Sequence, residues 1–181
     1  MSRLAATGLR VGYGPKTIID SLDVAIPDTQ VTTIIGPNGC GKSTLLRAMA
    51  NLLPTQAGEV TLDGTPLRAL RRRDLARSLG VLPQTPVAPD GLIVSDLVAR
   101  GRHPHQAWYR QWSSDDKDEV MTALRMTKVD DLADRTVDSL SGGQRQRVWI
   151  SLVLAQQTDI LFLDEPTTYL DLSHSIEVLE L

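Results

Sequence analysis

Two short stretches carry residue types suited to phosphate chemistry. The first, "GPNGCGKST", runs from Gly36 through Pro37, Asn38, Gly39, Cys40, Gly41, Lys42 and Ser43 to Thr44. It fits the pattern G-x-x-x-x-G-K-[ST]. Gly36, Gly39 and Gly41 permit unusual backbone angles and close approach, so the loop's N–H groups can point inward at phosphate oxygens. The start of a following helix adds positive potential. Lys42 is then placed to reach the β- and γ-phosphates of a nucleotide, and Ser43 to ligate Mg2+. The second stretch, "ILFLDEP", ends an apolar run in two adjacent acids, Asp164 and Glu165. Asp164 is the expected partner of that magnesium, through its water shell. Glu165 reaches a different spot, where it can polarise an attacking water as general base, a role that contributes ~10²–10⁴-fold. The plain alternatives are a Gly-rich turn with a chance lysine and two acids in ordinary ion pairs. Finding both motifs in one chain favours the chemical reading.

The elements around them have the right order. Residues 3–35 alternate in β fashion as "LAATGLRVGYG", "KTIIDSLDVAI" and "QVTTIIG", punctuated by Gly and Pro. The last of these predicts a strand feeding the phosphate loop. "STLLRAMANLL" has helical spacing and stops before Pro54. "GEVTLDGTPL" predicts a strand and turn, and "GVLPQ" a brief strand ending at Gln84. From Thr85 to about Leu140 no strand is predicted. "IVSDLVARGRHPH" and "SSDDKDEVMTALRMTKV" read as helices, the second with Ser and Asp residues suited to its start. The four apolar residues before Asp164 read as a fully buried parallel strand. The fold class is therefore α/β. An α/β core comprises residues 1–84 and about 146–181, with a helical subdomain at about 85–145.

Composition narrows the function classes. Of 181 residues, 41% are hydrophobic and 23% charged, which suits a folded domain and argues against disorder. A net charge of −3 argues against a nucleic-acid partner, which would need a basic face. Arg71, Arg72 and Arg73 read as a solvated helix face. The single cysteine, Cys40, allows no internal disulfide and suits a reducing compartment. No apolar stretch approaches the length of a membrane span. "TKVD" at Thr127–Asp130 matches a GTPase base-reading pattern in letters, but it follows an amphipathic helix and reads as a helix end. His103, His105, Trp108 and Trp112 show no convincing metal-ligand spacing; docking or packing is the simpler reading.

"LSGGQRQR" separates one family from the other nucleotide-binding classes. Ser141 and two glycines open a predicted helix, "QRQRVWISLVLAQQ", placing N–H groups and a hydroxyl at a positive helix end. With this motif the chain resembles the ATP-binding cassette (ABC) ATPases, whose signature is matched at Leu140, Ser141, Gly142, Gly143 and Gln144. The resemblance covers essentially the whole chain. It implies a P-loop NTPase core with an N-terminal antiparallel β subdomain and an inserted helical subdomain carrying the signature. It further implies ATP and Mg2+ as ligands, and a head-to-tail homodimer in which one subunit's signature closes over ATP in the other's loop. By the same resemblance Tyr13 stacks on adenine, Gln84 approaches magnesium and the attacking water, and Asp171 communicates across the dimer.

Two stretches, "DLVARGRHPHQAWYRQW" and "DEPTTYLDLSHSIEVLEL", look like the cassettes that power bacterial iron(III)-siderophore uptake. Haem or cobalamin uptake and a non-transport ABC ATPase are the alternatives. The uptake reading implies two transmembrane permease subunits, an extracytoplasmic binding protein and a peripheral place on the cytoplasmic face of the bacterial membrane. The family also carries a further strand, between the loop strand and the Asp164 strand, and a γ-phosphate histidine at its end. His174 comes too early for that role. The expectation is that these features lie beyond this chain, and that residues 1–181 alone bind nucleotide without turning it over.

Overall fold

The computed structural model describes residues 2–106 and 112–166. Backbone contacts divide the chain into two compact units, Met1–Leu75 and Ala76–Leu181. The boundary falls within a short helix.

The first unit is built on an antiparallel sheet. Its strands are β1 (Ser2–Tyr13), β2 (Lys16–Pro27), β3 (Ala57–Leu62) and β4 (Thr65–Pro66), in the spatial order β2-β1-β3-β4. Along β1 the buried apolar side chains are Leu4 and Ala6, then Leu9 and Val11. A period-2 strand cannot bury both pairs unless it shifts phase between them. Gly8 absorbs the shift: its φ is 57°, and the β1–β2 register slips between Ala6 and Leu9. The Asp23 carboxylate accepts the Gly8 N–H at 2.5 Å, which holds the bulge in place. Helix α1 (Lys42–Met49) lays Leu45, Ala48 and Met49 into the core beside β1.

Residues 31–37 do not form the strand that their β-branched run predicts. Val31 is 89% exposed and Ile35 88%. Strand propensity acts through pairing and packing rather than through the isolated backbone. Among the described residues no strand pairs with this segment.

The short boundary helix is α2 (Arg72–Ser78). The second unit contains the parallel pair β5 (Leu79–Leu82) and β6 (Ile160–Leu163), in register from Leu79 opposite Ile160 to Leu82 opposite Leu163. Between them come α3 (Val94–Ala99), α4 (Ser114–Met126) and α5 (Gly142–Ala155). The predicted helix over "IVSDLVARGRHPH" is shorter than its pattern: it tightens to a 3-10 turn at Arg100–Arg102. Val94, Leu97, Val98, Val120, Leu124 and Val148 form one core with Leu82 and Val153. The α3–α4 stretch closes on itself near its ends, where Val94 N donates to Arg135 O and Val137 N to Leu92 O, both at 2.9 Å. Thr127 caps the C-terminal end of α4, and Lys128 turns the chain at φ 56°. "TKVD" is thus a helix terminus.

An ion pair that the sequence reading missed lies in this unit. Arg102 and Asp116, each 7% exposed, meet at 2.9 Å. Arg102 also donates to Ala155 O and Gln157 Oε1, at the end of α5. Asp116 closes a capping box with Ser113 at the start of α4. Burial pushes the Asp116 carboxyl up, but the hydrogen bonds from Arg102 and Ser113 outweigh it and hold the group below its usual range. Replacing Arg102 with Met keeps the stem and leaves a buried carboxylate unpaired, at an expected cost of about 3–5 kcal/mol. With the folded value depressed, the stabilisation is complete above the unfolded value of roughly 4 and disappears as pH falls through the folded one. Thermal unfolding of Arg102→Met and native protein between pH 7 and pH 3 should show a gap that narrows toward acid. A gap constant over that range would show that the ion pair is not its source.

Candidate functional site

The phosphate loop lies in the first unit. Gly41 opens α1 at φ 103° and supplies no side-chain cap, and the first turn carries no acid. A Cβ at Gly41 would meet Ile18 Cγ2 at 3.0 Å, and one at Gly36 would meet Cys40 Sγ at 2.8 Å. Gly39 needs its freedom for conformation alone, at φ 80°. Cys40 N closes a tight turn onto Pro37 O at 3.3 Å. Lys42 Nζ reaches back over the loop to Gly36 O at 2.9 Å and Pro37 O at 3.1 Å. An ammonium has three donors, so one remains for a phosphate oxygen. Pro37, Asn38 and Cys40 are exposed, Ser43 is half-buried and Thr44 is buried. Tyr13 ends β1 at the Gly14-Pro15 hairpin and is 48% exposed. An aromatic so open at a strand end is available for stacking.

In the second unit the structure brings Gln84 and Glu165 together. Gln84 lies two residues beyond β5, and its Nε2 donates to Glu165 Oε2 at 2.6 Å. The donor role fixes the amide's orientation and turns Oε1 away from the carboxylate. Asp164 is 6% exposed, and its N–H continues the parallel pairing onto Leu82 O at 3.0 Å. Glu165 then takes φ 50°. Left-handed geometry in a residue other than glycine costs on the order of 1–3 kcal/mol, and such strain gathers at functional sites. A proline at 166 restricts the preceding residue further.

The signature residues also lie in the second unit. Ser141 is the N-cap of α5, with Oγ accepting from Gln144 N at 3.3 Å and Gln144 Oε1 accepting from Ser141 N at 3.0 Å. This reciprocal box uses one lone pair of the serine hydroxyl and leaves its O–H as a donor. Gly142 and Gly143 add N–H groups without side chains, and no acid lies in the first turn. Leu140 is 6% exposed and anchors the motif in the core. One residue unmarked by the sequence reading stands nearby: Gln146, 5% exposed, donates through Nε2 to Pro166 O at 2.9 Å. Its only sequence signal is its place two residues past the signature. His105 Nε2 lies 2.7 Å from Gln156 O, a packing role. Asp171, His174 and Trp108 lie outside the described residues.

Comparisons with known proteins agree on the family. The family model described as "ABC transporter" matches residues 19–168. A Bacillus subtilis protein described as "Probable siderophore transport system ATP-binding protein YusV" is 53% identical over 181 residues, all of this chain and 66% of its own length. The Escherichia coli ferric enterobactin transport ATP-binding protein FepC is 49% identical over 181 residues, again all of this chain and 67% of its own. The chain thus spans about two thirds of the length of these curated relatives. A nucleotide-free ATP-binding cassette from an ABC transporter superposes with a TM-score of 0.85 at 23% identity, over 99% of this chain and 75% of that one. Loop, signature and fold therefore point the same way: the chain belongs to the ABC transporter family and has the P-loop fold of its ATP-binding cassettes.

Proposed function

We propose that this chain is the nucleotide-binding part of an ATPase subunit that, at the full length of its relatives, drives uptake of an iron(III)-siderophore. The observation that carries the hydrolytic reading is the 2.6 Å contact of Gln84 with Glu165, one residue after the buried Asp164. It puts an oriented amide on the carboxylate expected to act as base. The iron-chelate reading is supported by relatives named for siderophore and ferric enterobactin transport.

The loop from Gly36 to Thr44 binds the triphosphate through its N–H groups and Lys42, with Tyr13 on the adenine. By residue type, the Ser43 hydroxyl, the Gln84 amide oxygen and the Asp164 carboxylate would be hard oxygen donors for Mg2+, which would neutralise phosphate charge. Glu165 takes a proton from water, the water oxygen attacks the γ-phosphorus, and the bond to the ADP oxygen breaks. Residues 140–144 act in trans, at the γ-phosphate held by a second copy, and Asp171 carries the dimer contact. Residues 1–84 and about 146–181 form the nucleotide core, and residues from about 85 to 145 the helical part that carries the signature. The assembly comprises two such subunits and two permease subunits on the cytoplasmic face of the membrane, fed by an extracytoplasmic binding protein, with no nucleic acid. Within the described residues no helix is long and apolar enough to cross a membrane.

Glu165→Gln, in the protein at the full length of its relatives, should keep ATP affinity and lower phosphate release by at least ~10²-fold. Release within threefold of the native rate would remove Glu165 from the base role. Cys40 is exposed within the loop, so saturating Mg-ATP should slow its alkylation by several-fold. Equal labelling rates with and without nucleotide would show that the triphosphate does not sit in this loop.

A further inference from the structure

The turn that carries Glu165 is held from two sides. On the strand side, Asp164 N bonds Leu82 O at 3.0 Å and Gln84 Nε2 bonds Glu165 Oε2 at 2.6 Å. On the other side, Gln146 in the second turn of α5 donates to Pro166 O at 2.9 Å. Proline has no N–H, so this carbonyl is the only backbone polar group Pro166 can offer. Glu165 sits between these holds at φ 50°, directly before a proline, in a conformation that persists only when its surroundings enforce it. Gln146 is 5% exposed, and its amide is committed to that carbonyl.

We propose that Gln146 is a positioning residue. It ties the Glu165 turn to the helix whose first residues are Gly142 and Gly143, so the aim of the base carboxylate follows the placement of α5. The inference rests on the proposed roles of Glu165 and the signature. Its consequence is directional. When α5 is drawn onto a γ-phosphate, the pull passes through one side chain, four residues along the helix, to the subunit's own Glu165. A turn freed from Gln146 keeps Asp164 in its strand pairing but lets the Glu165 backbone relax.

The test uses the protein at the full length of its relatives, assembled with its permease. Gln146→Met keeps the volume of the side chain and removes the donor. We expect kcat to fall about tenfold, with KM for ATP within threefold of native and Tm unchanged. Gln146→Glu keeps the shape but donates only when protonated. Its kcat relative to native should therefore rise as pH falls from 8 to 6. A Gln146→Met protein with native kcat, or one whose ATP affinity and Tm fall along with kcat, overturns the proposal. So does a Gln146→Glu ratio that is flat with pH. Glu165→Gln run alongside separates the failures. If it hydrolyses ATP at the native rate, the base assignment has failed. If it is inactive while Gln146→Met is native, only the role of Gln146 has failed.

Discussion

A helix cannot satisfy its own first N–H groups, and the candidate chemistry of this molecule turns on that constraint. Three helices answer it differently. At α4, Ser113 and Asp116 form a capping box with Asp115 and Asp116 in the first turn, so N–H groups and dipole are both answered by the chain itself. At α5 the same kind of box is made by Ser141 and the neutral Gln144, with no acid in the turn. At α1 there is no side-chain cap, only Gly41 in left-handed geometry. The positive end therefore meets acids of the chain itself at α4 and none in the first turn at α1 and α5. Between the two boxes, Asp115 and Asp116 of α4 give way to Gly143 and Gln144 of α5, which removes both acids from the first turn.

The second constraint concerns the opposite end of α5. The last carbonyls of a helix also lack partners within it, and cations are favoured there. Arg102 fills that place, bonding Ala155 O while it pairs with Asp116. His105 lies on Gln156 O, and the Gln156 amide donates to Ala76 O at 2.6 Å, just before β5. α5 is buried along most of its length, with Val148, Ile150, Ser151 and Val153 all nearly inaccessible. A helix enclosed in this way has little apolar distinction between its faces to set its rotation. The polar contacts at its ends supply that setting: Gln146 on Pro166 near the start, Arg102 and Gln156 near the finish.

Much of this was legible in the sequence, and the part that was not has a common cause. Gly36–Thr44 and the pair Asp164 and Glu165 are contiguous motifs whose expected chemistry follows from residue type and spacing, and Leu140–Gln144 is contiguous too and was identified by resemblance. The start of α4 could be read because Ser and Asp act locally on the next turn. Resemblance set Gln84 near magnesium and the attacking water, but its contact with Glu165 went unseen, because it joins residues far apart in the chain. Arg102–Asp116 and Gln146–Pro166 went unseen for the same reason: nothing nearby marks an Arg, an Asp or a Gln as buried. The strand expected over residues 30–36 failed differently. Its β-branched run was read correctly as propensity, but a strand is completed by its neighbour, and propensity does not supply one. The bulge at Gly8 was recoverable in principle, since Leu4 and Ala6 are out of phase with Leu9 and Val11.

Asp164 and Glu165 show how backbone conformation divides labour between adjacent acids. Asp164 is still in strand register: its N–H pairs with Leu82 O and its side chain is buried. The next residue turns left-handed, which takes the chain out of the sheet within a single step. That turn aims the second carboxylate at Gln84 rather than along the strand, and it delivers the carbonyl of Pro166 to Gln146. Had Glu165 remained extended, the chain would have continued along the sheet and neither glutamine would meet its present partner. The strained φ therefore has a physical function. It leaves one of two neighbouring carboxylates in strand register and carries the other out of it, onto the Gln84 amide.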